Sequence, residues 1–289
     1  MFKRLGLLFL FDLTIAYLYS YGGITWLAEP TLPLSMIGGA LSLFLAFRNN
    51  SAYNRWWEAR TLWGALVNTA RTFTRQSLTL VDEEGERPFE VTSRRSLVDL
   101  QVNYVHALRC HLRKQNPFPE LQNALSPELV AYLRKQKNVP MGILLIQGSI
   151  LRKLFDAGRL DSYRFTAMDR SLTELCNIQG ACERIKNTPL PRQYEFFPRL
   201  LVGMYCLMLP FGLVGGLGML TPLASTLISF IFVSLDAIGR EIENPFENTV
   251  HDTPMSTLTR MIEINLRQNL GEGEDRLPVE VGPVEGFSY

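Results

Sequence analysis

Two long apolar blocks, one toward each end of the chain, restrict its fold more than any other feature. Leu5 to Phe47 contains no Lys or Arg, and its only acids are Asp12 and Glu29. Leu200 to Leu235 contains no charged residue at all. The hydrocarbon core of a bilayer is crossed by about 20 residues of helix, so each block has the length of two spans. Each also has a reversal near its middle. The first turns at Ala28-Glu29-Pro30-Thr31-Leu32-Pro33, where two prolines break the helix and a carboxylate calls for water. The second turns at Gly215-Gly216-Leu217-Gly218-Met219-Leu220-Thr221-Pro222. The expectation is an all-α integral membrane protein with four transmembrane helices. Hairpin 1 occupies residues 1–48, with spans about 5–27 and 33–48, and hairpin 2 occupies 199–238.

Whole-chain averages conceal this. With 289 residues, 29 Lys+Arg against 28 Asp+Glu and 47% hydrophobic residues, the totals resemble those of a soluble protein, and buried hairpins are the competing reading. The net charge of +1 gives no field of one sign, which excludes nucleic acid as a partner. Lys3 and Arg4 before an apolar run resemble the start of a signal peptide, but no small-residue cleavage site follows and a second apolar run comes almost at once. A retained span is expected, with Trp26 as an interfacial anchor.

The basic residues give the orientation. Lys3, Arg4, Arg48, Arg55, Arg60, Arg192, Arg199 and Arg240 all lie outside the two short turns, which lack Lys and Arg. The positive-inside rule then places both termini and a large helical region, residues 49–198, in the cytoplasm, followed by a cytoplasmic helix and tail over 239–289. Within 93–114, Leu97, Leu100, Tyr104, Leu108 and Leu112 share one broad helical face. Ser126 with Pro127 opens a helix expected to end near Asn138 and Pro140. Gly158 closes the next, and Asp161 or Ser162 caps another running toward Lys186. Val81 to Thr92 is an acidic solvated loop. The Gly-, Pro- and Glu-rich tail after Gly271 cannot bury enough surface to fold alone.

Nothing here suggests catalysis. Cys110, Cys176, Cys182 and Cys206 have no CxxC spacing, and His106 and His111 are five apart, which does not stack two ligands on one helical face. With His251 they are the only histidines, and all three are expected to be solvated or hydrogen-bonded. No HExxH, GxSxG, P-loop or GxGxxG occurs, so neither enzyme, metal nor cofactor is expected. A proton-coupled transporter would need an ionisable group within the membrane, and only Asp12 is a candidate, reaching the interface or pairing with Arg4. A non-conducting scaffold is the remaining alternative.

Phe47-Arg48-Asn49-Asn50-Ser51-Ala52-Tyr53-Asn54-Arg55-Trp56-Trp57-Glu58-Ala59-Arg60-Thr61-Leu62-Trp63-Gly64 follows the second apolar run. An anchor belt would account for its Trp and Arg content but not for the order. This stretch resembles the bestrophin family of ion channels, which carries FR-N-x-x-Y-x-RWWE-x-R-x-x-WG at this place. Thr188-Pro189-Leu190-Pro191 with Tyr194, and Glu243-Asn244-Pro245-Phe246, extend the resemblance over nearly the whole chain. It implies a homopentamer of four-span subunits in a lipid bilayer, conducting monovalent ions passively through a central pore.

The resemblance also implies a neck lined by the second span at Gly39, Leu43 and Phe47. Their spacing of four keeps them on one helical face, and eight residues of helix cover about 12 Å. Gly39 replaces a bulky residue, so that ring should be wider, with Met36 or Ala40 contributing. Such an apolar constriction gates by dewetting, because an ion within it loses its hydration shell without a polar replacement. A second, cytoplasmic constriction maps to Tyr163. The family's Arg48, Asn49, Tyr53, Arg55, Trp56, Glu58, Arg60, Asn244, Pro245 and Phe246 are structural. Animal members bind calcium through acids after the NPF segment, where this chain has Glu247-Asn248-Thr249-Val250-His251-Asp252, poor material for six to eight oxygen ligands. The chain is thus closer to the bacterial type, which implies the bacterial inner membrane and selectivity for cations over chloride.

Overall fold

A computed structural model describes residues 2–28, 33–82 and 93–282. Its elements among those residues are helical, with no strand. Residues 29–32 of the expected first reversal and 83–92 of the acidic loop lie outside the described residues. The chain divides into two compact units. Unit 1 comprises Met1–Trp56 with Pro189–Asn244, and unit 2 comprises Trp57–Thr188 with Pro245–Tyr289.

Unit 1 contains α1 (Phe2–Ser20), the first part of α2 (Leu34–Leu80), α8 (Arg192–Leu217) and α9 (Thr221–Ile242). The first helix stops at Ser20, short of the expected 27. Gly22 and Gly23 follow it, and Gly23 has φ +66°, a left-handed conformation that ends a helix. Trp26 is exposed in a single 3₁₀ turn beyond. In hairpin 2, α8 starts at Arg192, earlier than expected, and continues through Pro198 and Pro210. Gly218 at φ +51° makes the reversal and α9 packs back on α8.

The stretch Arg192–Ile242 is long and apolar enough to cross a membrane, and only 33% of its most apolar window is buried within the chain. It alone passes this test of length and composition among the described residues. Helix α1 carries Lys3, Arg4 and Asp12, and α2 turns polar after Phe47. The small core of unit 1 joins Leu41 and Leu45 of α2 to Val202, Tyr205 and Leu209 of α8 and Phe232 of α9.

Unit 2 is built on α3 (Ser93–Leu112), which packs against α6 (Val139–Asp156), α7 (Ser162–Asn187) and α10 (Met255–Asn269). Leu97, Leu100, Tyr104, Leu108 and Leu112 are buried, as their spacing predicts, and meet Trp63, Leu66 and Phe73 from the later part of α2. After the single turn α4 (Phe118–Leu121), Ser126 caps a short α5 (Pro127–Leu133) by accepting from the Leu129 amide at 3.4 Å. This helix ends well before Asn138, contrary to expectation. Asn138 instead begins α6, accepting from the Met141 amide at 3.2 Å with Pro140 in the first turn. Asn followed closely by Pro fits a helix start as well as a stop, and here the cap prevails. Gly158, at φ +73°, ends α6, and the Asp161 carboxylate caps α7.

His106 holds a junction between elements far apart in sequence. Its Nδ1 lies 2.7 Å from Glu120 Oε2 and its Nε2 3.0 Å from Glu263 Oε2. Arg109 also pairs with Glu120, and Arg260 and Arg267 reach Glu263 at 2.7 and 3.0 Å. Burial pushes the imidazole pKa down, but the hydrogen bonds and charges of two carboxylates outweigh it, and the net shift is upward from 6.5. The His106 hydrogen bond, with the Arg109 charge, brings Glu120 from 4.5 to about 2.

Stability from His106 is therefore complete below its ordinary 6.5 and is lost as pH rises through the raised value. Stability from Glu120 is complete above 4.5 and is lost as pH falls toward about 2. Thermal melts should show both contributions in full between pH 4.5 and 6.5. His106→Gln should flatten the decline on the alkaline side, and an unchanged profile would contradict this reading.

Candidate functional site

The first part of α2 has two unlike sides. Leu41, Leu45, Arg48 and Ala52 recur at helical spacing and are buried within unit 1. On the other side Leu43 is 58% and Phe47 62% exposed, and Met36 is more exposed still. Gly39 and Ala40 are also exposed, and a Cβ added at Gly39 would meet nothing within 4 Å. This side continues through Asn50 and Asn54, so an apolar row gives way to a polar, uncharged one. Gly39, Leu43 and Phe47 thus share an open face, with Met36 and Ala40 beside them.

The rotation of α2 that presents this face is fixed by close packing and by one buried charge. A Cβ at Gly38 would lie 2.5 Å from the Tyr205 hydroxyl, so glycine lets α8 approach. Tyr194, from the TPLP segment's neighbourhood, stacks on Phe44 with centroids 6.4 Å apart. Arg48 is fully buried, and its Nη1 donates to Asp236 Oδ1 at 2.9 Å and to the Asp236 carbonyl at 3.1 Å. Its Nη2 lies 3.7 Å from Glu243 Oε2. Burial raises the Glu243 carboxyl above its ordinary value, against the pull of Arg48 and Arg55. Asn49 Nδ2 donates to the Leu235 carbonyl at 2.9 Å, and Arg55 Nε to the Glu243 carbonyl at 2.9 Å.

The polar residues of the family motif therefore fasten α2 to the end of α9. Asp236, the most deeply placed partner, went unnoticed in the sequence. Its signal was faint: the first charge after a block with none.

Gly239 belongs to the same fastening. A Cβ there would lie 2.0 Å from Asn49 Oδ1 and 3.4 Å from Arg48 Nη1. Gly239→Ala should lower stability by about 1–3 kcal/mol through this overpacking. Thermal unfolding in detergent reads the loss, and a melting point equal to the parent's would show that the contact yields.

The remaining motif residues take separate places. Tyr53 is exposed and stacks near Trp56 with centroids 6.1 Å apart. In unit 2, Glu58 pairs with Arg184 at 2.5 Å and Arg60 lies beside Gly64. Asn244 closes unit 1, Pro245 opens the final segment of unit 2, and Phe246 is buried in the unit 2 core. Lys186 Nζ reaches the Phe246 carbonyl at 3.4 Å and Glu247 at 2.9 Å. Asp252 accepts from the amide and hydroxyl of Thr249, which commits its carboxylate to a local turn.

Tyr163 is 88% exposed in the first turn of α7. Its backbone amide is held by the Asp161 carboxylate, and Arg164 in the same turn pairs with Asp82, just past the end of α2, at 2.9 Å. Asp12 does not pair with Arg4 as expected. It is fully buried where α1 packs on α9.

Comparison with known proteins decides the family. The family model described as Bacterial/Fungal Bestrophin protein matches residues 1–268. The chain belongs to this bestrophin family. Bestrophin membership makes it a membrane protein and an ion channel, not an enzyme. A Ralstonia nicotianae relative named voltage-dependent anion channel-forming protein RSc3414 is 39% identical over 242 residues, covering 84% of this chain and 78% of its own. The Escherichia coli K12 bestrophin relative, voltage-dependent anion channel-forming protein YneE, is 35% identical over 285 residues, covering 97% and 90%. The crystal structure of a bacterial bestrophin homologue from Klebsiella pneumoniae superposes with a TM-score of 0.87 at 33% identity, covering 94% and 99% of the two chains.

Proposed function

We propose that this bestrophin is a passive channel for monovalent ions, with four spans per subunit and the neck of its pore formed by Gly39, Leu43 and Phe47. The observation that carries this is the open apolar face of α2. Leu43 and Phe47 are large, more than half exposed, and held outward by a fully buried Arg48 on the opposite side. Large apolar side chains fixed in that way need lipid or copies of themselves for company. A central pore of five subunits supplies the copies and turns each position into a ring. Tyr163, exposed and held by a capped turn, forms the second constriction.

Both termini face the cytoplasm of a bacterial inner membrane, by the distribution of Arg and Lys. Coupled transport has less support. Asp12 is the carboxylate it would use, and that group is fully enclosed within the subunit rather than open to a pathway.

Two readings of selectivity each have an observation behind them. The missing acidic clasp groups the chain with bacterial members and favours cations. The relatives are named as anion channel-forming proteins, which favours anions. The neck does not choose between them, because Gly39, Leu43, Phe47, Asn50 and Asn54 carry no charge. Reversal potential under a salt gradient, with purified protein in planar lipid, tests conduction and ion sign together. A shift toward the cation equilibrium potential is expected. A shift the other way supports the anion reading, and absence of current refutes the channel proposal.

A further inference from the structure

A cleft of about 380 Å³ opens among α1, α8 and α9 of unit 1. Each helix contributes one arginine, and α1 and α8 each add an apolar row. Helix α1 supplies Arg4 followed by Leu7, Leu8 and Phe11, at spacings of three, four and seven. Helix α8 supplies Arg199 followed by Val202, Gly203, Cys206 and Leu207, at the matching spacings. Helix α9 runs the other way and supplies Val233 before Arg240. All three arginines therefore gather at one end and the apolar rows extend from them in one direction. From Arg199 to Leu207 the wall is about 12 Å long at the helical rise.

We propose that this cleft binds an anionic phospholipid, its phosphate between Arg4, Arg199 and Arg240 and an acyl chain along Leu7, Phe11 and Leu207. Charge complementarity identifies the occupant. Three guanidinium groups line the cleft against a single carboxylate, Asp236, which is already paired with Arg48 at 2.9 Å and Arg240 at 3.0 Å. Arg4 and Arg199 are exposed and make no ion pair among the described residues. Basic pockets between transmembrane helices at the cytoplasmic interface suit phosphate head groups, and each basic residue near the surface is worth about 1 kcal/mol. The wall is what separates this site from one for a free anion. Leu7 and Leu207 are 69% and 49% exposed, apolar surface that an acyl chain covers and inorganic phosphate does not. The proposal rests on membrane residence and not on conduction.

The test is native mass spectrometry of the delipidated, purified protein titrated in detergent with phosphatidylglycerol or phosphatidylcholine. Phosphatidylglycerol should be retained in preference, with inorganic phosphate at millimolar concentration failing to displace it. Arg199→Gln and Arg4→Gln should each weaken retention about fivefold, while Arg199→Lys, which keeps the charge, should retain most of it. A melting curve matching the parent's confirms that each variant is folded. Equal retention of the two lipids would overturn the proposal, as a cleft covered by a neighbouring subunit would give. Displacement by phosphate, or undiminished retention in both Arg4→Gln and Arg199→Gln, would overturn it equally.

Discussion

Arg48→Ala should be the most damaging single substitution in unit 1, lowering stability by about 3–5 kcal/mol. The size comes from what remains behind. The Asp236 side chain is 6% exposed, and without Arg48 its Oδ1 loses a charged donor at 2.9 Å while staying enclosed. An ion pair of this kind adds little net stability to a well-packed apolar alternative, yet removing one partner strands the other. Arg240 still holds Oδ2 at 3.0 Å, which places the expected loss toward the lower end of that range. Arg48→Lys keeps the charge but not the fork that spans Asp236 and Glu243, so it should recover part of the loss. Thermal unfolding and size-exclusion profiles in detergent read both variants. A melting point within a degree or two of the parent's for Arg48→Ala would show that the buried pair does not hold α2 in place.

Leu43→Ala and Phe47→Ala should each raise single-channel conductance. An ion crossing an apolar ring gives up hydration with nothing to replace it, and the cost falls as the ring widens. Lowering that barrier by about 1.4 kcal/mol corresponds to about a tenfold rate, a reasonable ceiling for removing one ring of side chains. The effect should be larger at Phe47, whose side chain is bigger, and Gly39→Leu should reduce conductance by narrowing the widest ring of the neck. Because both side chains are largely exposed within the chain, truncation leaves no cavity in the subunit core, so conductance and folding stability should separate. Unaltered conductance in both alanine variants would move the constriction elsewhere.

What could be read in the sequence was what a one-dimensional pattern records. The charge-free blocks, the broad face of α3, the Asp161 cap and the Gly158 stop all depend on neighbours within a few residues. The bestrophin motif, carried by Phe47 to Gly64, led to the family directly. Misreadings arose where a local signal has two meanings. Asn138 with Pro140 fits a helix end and a helix start alike, and Gly22-Gly23 ended α1 within a run whose apolar content continued to Leu27.

Contacts between distant positions were not legible. The motif marked Arg48 as structural without saying what it meets, and only the fold brings Asp236 to it across 188 positions. His106 gave no hint of Glu120 and Glu263, nor Arg4 of Arg199 and Arg240. The neck residues came from the resemblance. Their exposure in the fold is consistent with that role and was not deducible from spacing alone.

Modification of a cysteine introduced at Phe47 tests the pore most directly. A charged thiol reagent should reach the side chain of Phe47→Cys through water and change the current promptly, with the parent protein unaffected under the same treatment. If mass spectrometry shows the thiol fully modified while the current stays constant, or if the thiol reacts only with lipid-soluble reagents, residue 47 does not face the conducting pathway.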